Sequence, residues 1–173
     1  METKMGKALN EQIKHEMFSA YLYLSMSAWA ESNGYKGAAN WLRIQFQEEQ
    51  AHALHFYDYI KDRGGIVTLL AIDAPQTKWK DLTALFTEVK KHEEKVTSLI
   101  NGLYSVSLEL KDHATSTFLH WFVNEQVEEV KNAQDILDQL KILGNAGSGI
   151  YLLDKDLATR VFVAPTFGAQ PVA

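Results

Sequence analysis

The feature that most constrains the fold is the recurrence of apolar residues at spacings of three and four along most of the chain. This spacing places apolar side chains on one face of a helix, and no stretch alternates long enough to predict a strand. Glycine clusters and Pro75 divide the periodic sequence into blocks. We therefore predict an all-α protein with helices over about residues 3–33, 37–63, 80–110, 112–143 and 149–160.

The lengths of the connections predict the topology. Only a few residues join the first helix to the second and the third to the fourth, which favours antiparallel pairs. The connection from Gly65 to Trp79 has about fifteen residues, and at roughly 3.3 Å per extended residue it can span a bundle. We predict a crossover four-helix bundle with a short fifth C-terminal helix, forming one domain over residues 1–163. Residues 164–173 are expected to form a mobile tail.

Acidic residues interrupt the apolar face of each long helix near its midpoint. The interrupting ligand-type side chains are Glu16, Glu49, His52, Glu93 and Glu129. Antiparallel packing brings the midpoints to one level, so these side chains should form one cluster in the core. An internal repeat supports this prediction, because Glu93 follows Glu16 by 77 positions and Glu129 follows His52 by the same interval.

A cluster of buried carboxylates needs a positive charge beside it. One isolated buried carboxylate costs several kcal/mol, and four together would also repel one another. Two divalent cations would balance four negative charges, and a mixed set of Glu and His suits iron, manganese or zinc better than calcium. The alternatives are acids on solvated faces or a polar layer satisfied by hydrogen bonds. Five ligands at matching depth in a repeated pattern favour the metal pocket.

Composition narrows the possible partners. The net charge is −5 and no basic run occurs, so we expect no nucleic-acid partner. The chain has no cysteine, which excludes disulfides and thiolate metal sites. It also lacks a signal-like opening and an apolar stretch of roughly 18 residues, so we expect a cytoplasmic protein without a membrane partner.

The ligand pattern and helix order resemble the bacterial and archaeal non-haem ferritins of the ferritin-like di-iron family. The likeness is close from Glu16 to Tyr23, from Asn40 to His52 and from Phe118 to Glu129, and it extends over about residues 5–160. The general di-iron pattern has two Glu-x-x-His pairs. Here the second pair is Gln126-Val127-Glu128-Glu129, and this asymmetry is part of the resemblance.

The resemblance implies a two-iron ferroxidase centre within the bundle. Glu16, Glu49 and His52 would surround one iron, and Glu49, Glu93 and Glu129 would surround the other. Glu49 would bridge the two irons, and Gln126 would lie beside the second iron or bind it weakly.

The resemblance also implies a third iron position and two redox-active aromatic residues. The third position matches Glu48, Glu125, Glu128 and Glu129. The alternative for the first three is that they are solvated acids on helix faces. Tyr23 and Trp121 match aromatic residues that could pass an electron to oxygen, with core packing as the alternative role.

The function implied by the resemblance is iron storage and detoxification. Fe(II) would be oxidised by O2 or H2O2 and deposited as hydrated ferric oxide inside a hollow shell of 24 copies. Haem is not expected, because Gln50 stands where bacterioferritins carry the haem-binding Met. Two other functions stay open: a di-iron oxidase or peroxidase that stores no mineral, and a metal-free helical interaction module.

Overall fold

The chain folds into five helices in a computed structural model that describes residues 2–144 and 146–167. The helices are α1 Thr3–Ser32, α2 Lys36–Asp62, α3 Leu82–Glu109, α4 His113–Leu143 and α5 Gly147–Leu157. The described residues contain no strand, which confirms the predicted all-α class. The predicted tail extends beyond the described residues, which end at position 167.

Hydrogen bonds at the helix ends explain where the observed bounds differ from the predicted ones. Asp81 accepts a hydrogen bond from the Ala84 amide (2.8 Å), so α3 begins at Leu82 rather than near residue 80. At the other end of the chain, α5 ends three residues before the predicted position 160. There the Asp156 carbonyl accepts hydrogen bonds from the Thr159 amide (2.9 Å) and the Thr159 hydroxyl (2.7 Å), and these contacts replace the bond from the Arg160 amide that a continued α-helix would form.

The connection between α2 and α3 runs along α1. The Asn10 side chain near the start of α1 donates to the Ile66 carbonyl (3.0 Å). Further along α1, the Ser25 hydroxyl donates to the Gln76 carbonyl (2.7 Å). Between these contacts α1 rises about 22 Å at 1.5 Å per residue, so the connection crosses most of the bundle. The predicted crossover topology is confirmed.

Two clusters of apolar side chains fill the core, one towards each end of the bundle. Trp41 of α2 packs against Phe86 of α3 (ring centroids 5.5 Å apart) in the first cluster, so α2 and α3 begin at the same end and are parallel. Phe56 of α2 stacks on Phe122 of α4 (4.2 Å) in the second cluster. The predicted polar positions lie in the gap between the clusters. No helix of the described residues is long and apolar enough to cross a membrane.

Candidate metal centre

The gap between the two apolar clusters is lined by buried side chains that can bind metal. They come from all four long helices and none is more than 4% exposed: Glu16, Glu49, His52, Glu93, Gln126 and Glu129. Each lies on the apolar face of its helix, as the spacing of the sequence predicts. Their burial excludes the alternative that these acids occupy solvated faces.

Three of these side chains converge closely enough to hold one metal ion. One ligand atom from each of Glu16, Glu49 and His52 lies within 4.8 Å of the other two. The Nδ1 atom of His52 is 3.4 Å from an oxygen of Glu49. Glu49 and His52 are three positions apart on α2 and therefore share one face of the helix.

Several ligand atoms have no hydrogen-bond partner among the described residues. They are both carboxylate oxygens of Glu49, the Nε2 atom of His52 and the Oε2 atom of Glu93. Buried polar atoms are nearly always paired, because an unpaired one costs about 1–3 kcal/mol. The Glu16 and Glu49 carboxyl groups can hydrogen-bond to each other while one of them holds a proton. Once both are ionised, the atoms named above have no partner among the described residues. Bound cations would satisfy these lone pairs, so the donor set fits a metal.

Burial and mutual repulsion change the proton affinities of the cluster. Burial, followed by the charges of neighbouring glutamates, raises the pKa of Glu49 and of Glu129 well above the ordinary value. Burial likewise raises the pKa of Glu93 to about 7. Burial lowers the pKa of His52 to about 3, so its imidazole is neutral at pH 7, which is the form that binds metals. Without metal, the cluster therefore retains protons.

Neutral side chains orient three of the acids. The Gln12 amide donates to Glu16 (2.8 Å), and the Gln45 amide donates to Glu129 (2.8 Å). The Tyr23 hydroxyl donates to Glu93. Partners of this kind fix the direction of a metal ligand and tune its affinity. Gln45 occupies a position on the apolar face of α2, where a buried amide is unusual. That signal in the sequence could have identified it as a partner.

The remaining residues predicted for the centre lie directly beside it. Gln126 accepts a hydrogen bond from the Thr97 hydroxyl (3.0 Å), and its amide also interacts with Glu93. Tyr23 is fully buried, and the Trp121 ring meets the His52 ring edge to face, with centroids 5.3 Å apart. The electron-donor roles of the two aromatic residues stay predictions.

Of the acids predicted for a third metal position, Glu129 is buried in the centre, whereas Glu48, Glu125 and Glu128 are more exposed. Burial, followed by the charges of Glu128 and Glu48, raises the pKa of Glu125. Glu128 is exposed, whereas Glu48 is partly buried and pairs with the Arg160 guanidinium (2.7 Å). Sequence reasoning missed Arg160. No local signal could have revealed it, because the two partners are 112 positions apart.

The described part of the C-terminal segment also reaches the ligand-bearing helices. The Phe167 ring stacks on the His55 ring with centroids 3.7 Å apart, and it packs against Trp121 (4.6 Å). His55 lies three positions after His52 on α2. The predicted mobility of residues 164–173 stays a prediction, since positions 168–173 lie outside the described residues.

Comparison with known proteins identifies the relatives of this chain. Residues 6–143 match the family model described as a ferritin-like domain. The chain is 44% identical over 157 residues to the bacterial non-heme ferritin of Bacteroides fragilis, covering 91% of this chain and 98% of the relative. It is 38% identical over 159 residues to the bacterial non-heme ferritin of Escherichia coli, covering 92% and 96%. A solved open-pore ferritin from Archaeoglobus fulgidus superposes with a TM-score of 0.92 at 43% identity, covering 93% of this chain and 99% of that one. These findings confirm the resemblance and the predicted bundle with a short C-terminal helix.

Proposed function

Because the chain belongs to the ferritin-like family, we propose that it stores iron after oxidising Fe(II) at the buried centre between its four long helices. The observation that carries the proposal is the set of unpaired ligand atoms on Glu49, His52 and Glu93. The names of the relatives, which are ferritins from bacteria and an archaeon, support iron as the metal.

Each ligand has a proposed role in binding the substrate iron. Glu16, Glu49 and His52 bind one Fe(II), while Glu49, Glu93 and Glu129 bind the second. Glu49 is shared, because it converges with Glu16 and His52 within 4.8 Å while the charges of Glu93 and Glu129 also act on its carboxyl group. The second ion takes the place of protons on the acids whose pKa burial raises. Gln126 lies beside this position as a neutral neighbour or a weak ligand.

The carboxylates also favour the oxidation itself. Anionic oxygen ligands stabilise Fe(III) more than Fe(II), so the glutamates make loss of an electron easier. Two Fe(II) ions supply two electrons, which reduce one O2 to H2O2 or one H2O2 to water. Tyr23 is the candidate for an additional electron, since its hydroxyl already donates a hydrogen bond to Glu93. Glu48, Glu125, Glu128 and Glu129 would hold a third ion on its way from the centre to the store.

Storage requires a closed space for the mineral. We propose a hollow shell of 24 copies in which hydrated ferric oxide accumulates, as the ferritin relatives suggest. The α5 helix supports assembly, because Leu153 and Leu157 pack on the bundle while Tyr151 and Leu152 stay 60% and 65% exposed in the single chain. Exposed apolar side chains next to each other favour contact with another copy. No haem is included in the proposal.

The test compares two glutamates that have different proposed roles. Glu49→Gln should abolish the fast, saturable phase of Fe(II) oxidation in stopped flow at two Fe(II) per chain, because both ions lose their shared ligand. Glu128→Gln, the matched control on the exposed face of α4, should keep that phase. Crystals of the parent soaked with Fe(II) should show two metal peaks about 3–4 Å apart within one chain. Oxidation by Glu49→Gln at the initial rate of the parent would refute the assignment.

A further inference from the structure

The segment after α5 places one arginine against the metal-binding face of α2. The Arg160 guanidinium donates one hydrogen bond to the Gln45 side-chain oxygen and another to Glu48 (2.7 Å). Its central carbon lies 4.7 Å from the centroid of the Trp41 ring, which is a cation–π contact. These three partners are spaced along one face of α2, so they hold the planar guanidinium in one orientation.

The backbone around Arg160 is also held in place. The side-chain amide of Asn40, the residue before Trp41 on α2, donates to the carbonyl of Arg160 (2.9 Å). On α5 itself, the Asp154 carboxylate accepts hydrogen bonds from the backbone amides of Gly37 and Ala38 at 3.0 and 2.9 Å. These amides belong to the first turn of α2, whose positive dipole end favours a carboxylate. The contacts of Asp154 and of the Arg160 carbonyl with the start of α2 therefore help to determine where Arg160 lies.

Gln45 connects Arg160 to the metal centre. Its side chain is fully buried, and its amide nitrogen donates to Glu129 (2.8 Å) while its oxygen accepts from Arg160. A side-chain amide has one donor end and one acceptor end. A flipped Gln45 would turn its NH2 group towards the guanidinium and its oxygen towards the carboxylate, which loses both hydrogen bonds. Arg160 therefore determines which end of Gln45 faces Glu129.

We propose that Arg160 is a positioning residue of the metal centre, which acts through Gln45 to hold the Glu129 carboxylate ready for the second metal ion. The inference rests on the proposed function, because Glu129 is assigned there to the second ion. Loss of a group that orients a metal ligand typically lowers metal affinity 10–100-fold. The effect should be local, since Glu16 has a separate partner, Gln12.

The test measures how each metal position fills, with Zn²⁺ as a probe that has no redox chemistry. Crystals of the full-length protein are soaked at graded Zn²⁺ concentrations, and anomalous diffraction gives the occupancy of each position. Arg160→Gln should need at least about tenfold more Zn²⁺ to half-fill the position beside Glu93 and Glu129. The position beside Glu16 and His52 should fill as in the parent. Arg160→Lys, which keeps a cationic donor, should recover part of the loss.

A control variant and a double variant distinguish a positioning role of Arg160 from a general effect on stability. Arg43→Gln removes an exposed arginine of α2 that lines a groove against α1. Both metal positions of this control variant should fill with Zn²⁺ as in the parent. In a Gln45→Met background, which has a similar volume but no amide, Arg160→Gln should have no further effect on the position beside Glu129.

The outcomes distinguish this inference from the proposed function. If Arg160→Gln lowered the Zn²⁺ affinity of both positions equally, Arg160 would be only structural. If both positions of Arg160→Gln filled at the same Zn²⁺ concentrations as in the parent, Arg160 would have no role in the centre. A further loss in the Gln45→Met background would rule out action through Gln45. Each of these results overturns the inference while the proposed function stands. A parent crystal that fails to take up two Zn²⁺ ions per chain would overturn both.

Discussion

At the scale of single residues, burial makes the acids of the centre hold their protons more tightly than exposed glutamates do. Glu93 is fully buried, contacts Tyr23 and has a pKa raised to about 7, mainly because burial disfavours its charged form. A buried acid of this kind costs stability unless a proton or a cation neutralises it. A cation bound at the proposed centre would therefore stabilise the fold by neutralising these acids.

The first prediction concerns the stability of the metal-free protein as a function of pH. The folded state holds the proton of Glu93 more tightly than the unfolded chain does, because its pKa is raised from 4.5 to about 7. Raising the pH through this window therefore lowers the free energy of unfolding. Glu93→Gln lacks the titrating group and so avoids this pH-dependent loss. The free energy of unfolding of the variant minus that of the parent should therefore rise by at least about 1 kcal/mol between pH 5 and pH 8.

Urea unfolding in the presence of a chelator, repeated across this pH range, measures the difference. Glu94→Gln is the control, because it removes an acid from the next position of α3, where the side chain is exposed. A constant difference between Glu93→Gln and the parent at all pH values would contradict the prediction.

At the scale of elements, the contact between α2 and α5 depends on one glycine. A Cβ atom added to Gly37 would overlap the backbone carbonyl of Asp154, and backbone cannot move aside as a flexible side chain can. The same contact lets the Asp154 carboxylate bind the amides at the start of α2. It also determines the direction in which the chain continues towards Arg160.

The second prediction is that Gly37→Ala loosens α5 from the bundle. Alanine normally stabilises a helix by about 1 kcal/mol relative to glycine, yet here the overlap should lower the melting temperature. Gly102→Ala is the matched control, because outside its own stretch of α3 no described atom lies within 4 Å of the added Cβ. Thermal unfolding of both variants measures the effect. The control should have a melting temperature equal to or above that of the parent. If Gly37→Ala behaved in the same way, the contact between Gly37 and Asp154 would not hold α5 on the bundle.

At the scale of the whole molecule, α5 carries apolar side chains that the single chain does not cover. The single chain leaves Tyr151 and Leu152 of α5 exposed although the same helix packs on α2 and α4 through Leu153 and Leu157. An amphipathic helix with a second apolar face fits contact with neighbouring copies. Closed symmetric shells use such repeated contacts between identical chains.

The third prediction is that Leu152→Lys prevents formation of the complete shell. Native mass measurement of the parent should give about 470 kDa, as expected for 24 chains arranged with closed symmetry. The variant should give much smaller species with the same helix content by circular dichroism, because a charge at a buried apolar contact is not paired. Leu152→Met, which keeps the volume and apolar character, should assemble like the parent. A parent that binds two metal ions but stays small would favour the di-iron oxidase over iron storage.

The sequence by itself determined the helices, their buried faces and the level at which the ligands meet. Spacings of three and four place side chains on one helix face whatever the helix packs against, so Glu16, Glu49 and Glu93 could be assigned to the core from local pattern. The length of the connection after Gly65 was enough to predict the crossover, because a fully extended segment has a known maximum span. The repeat of 77 positions then related the two halves of the centre.

Only the tertiary structure decided how the ligands are held. Gln45 and Glu129 are 84 positions apart, and Arg160 is 115 positions from Gln45, so no local periodicity relates these partners. The path of the chain after α5 likewise depends on a hydrogen bond from Asn40 on another helix. Helical periodicity determines which face a side chain occupies. The direction of its hydrogen bonds depends on which distant residue lies opposite, and the packing of the whole bundle determines that.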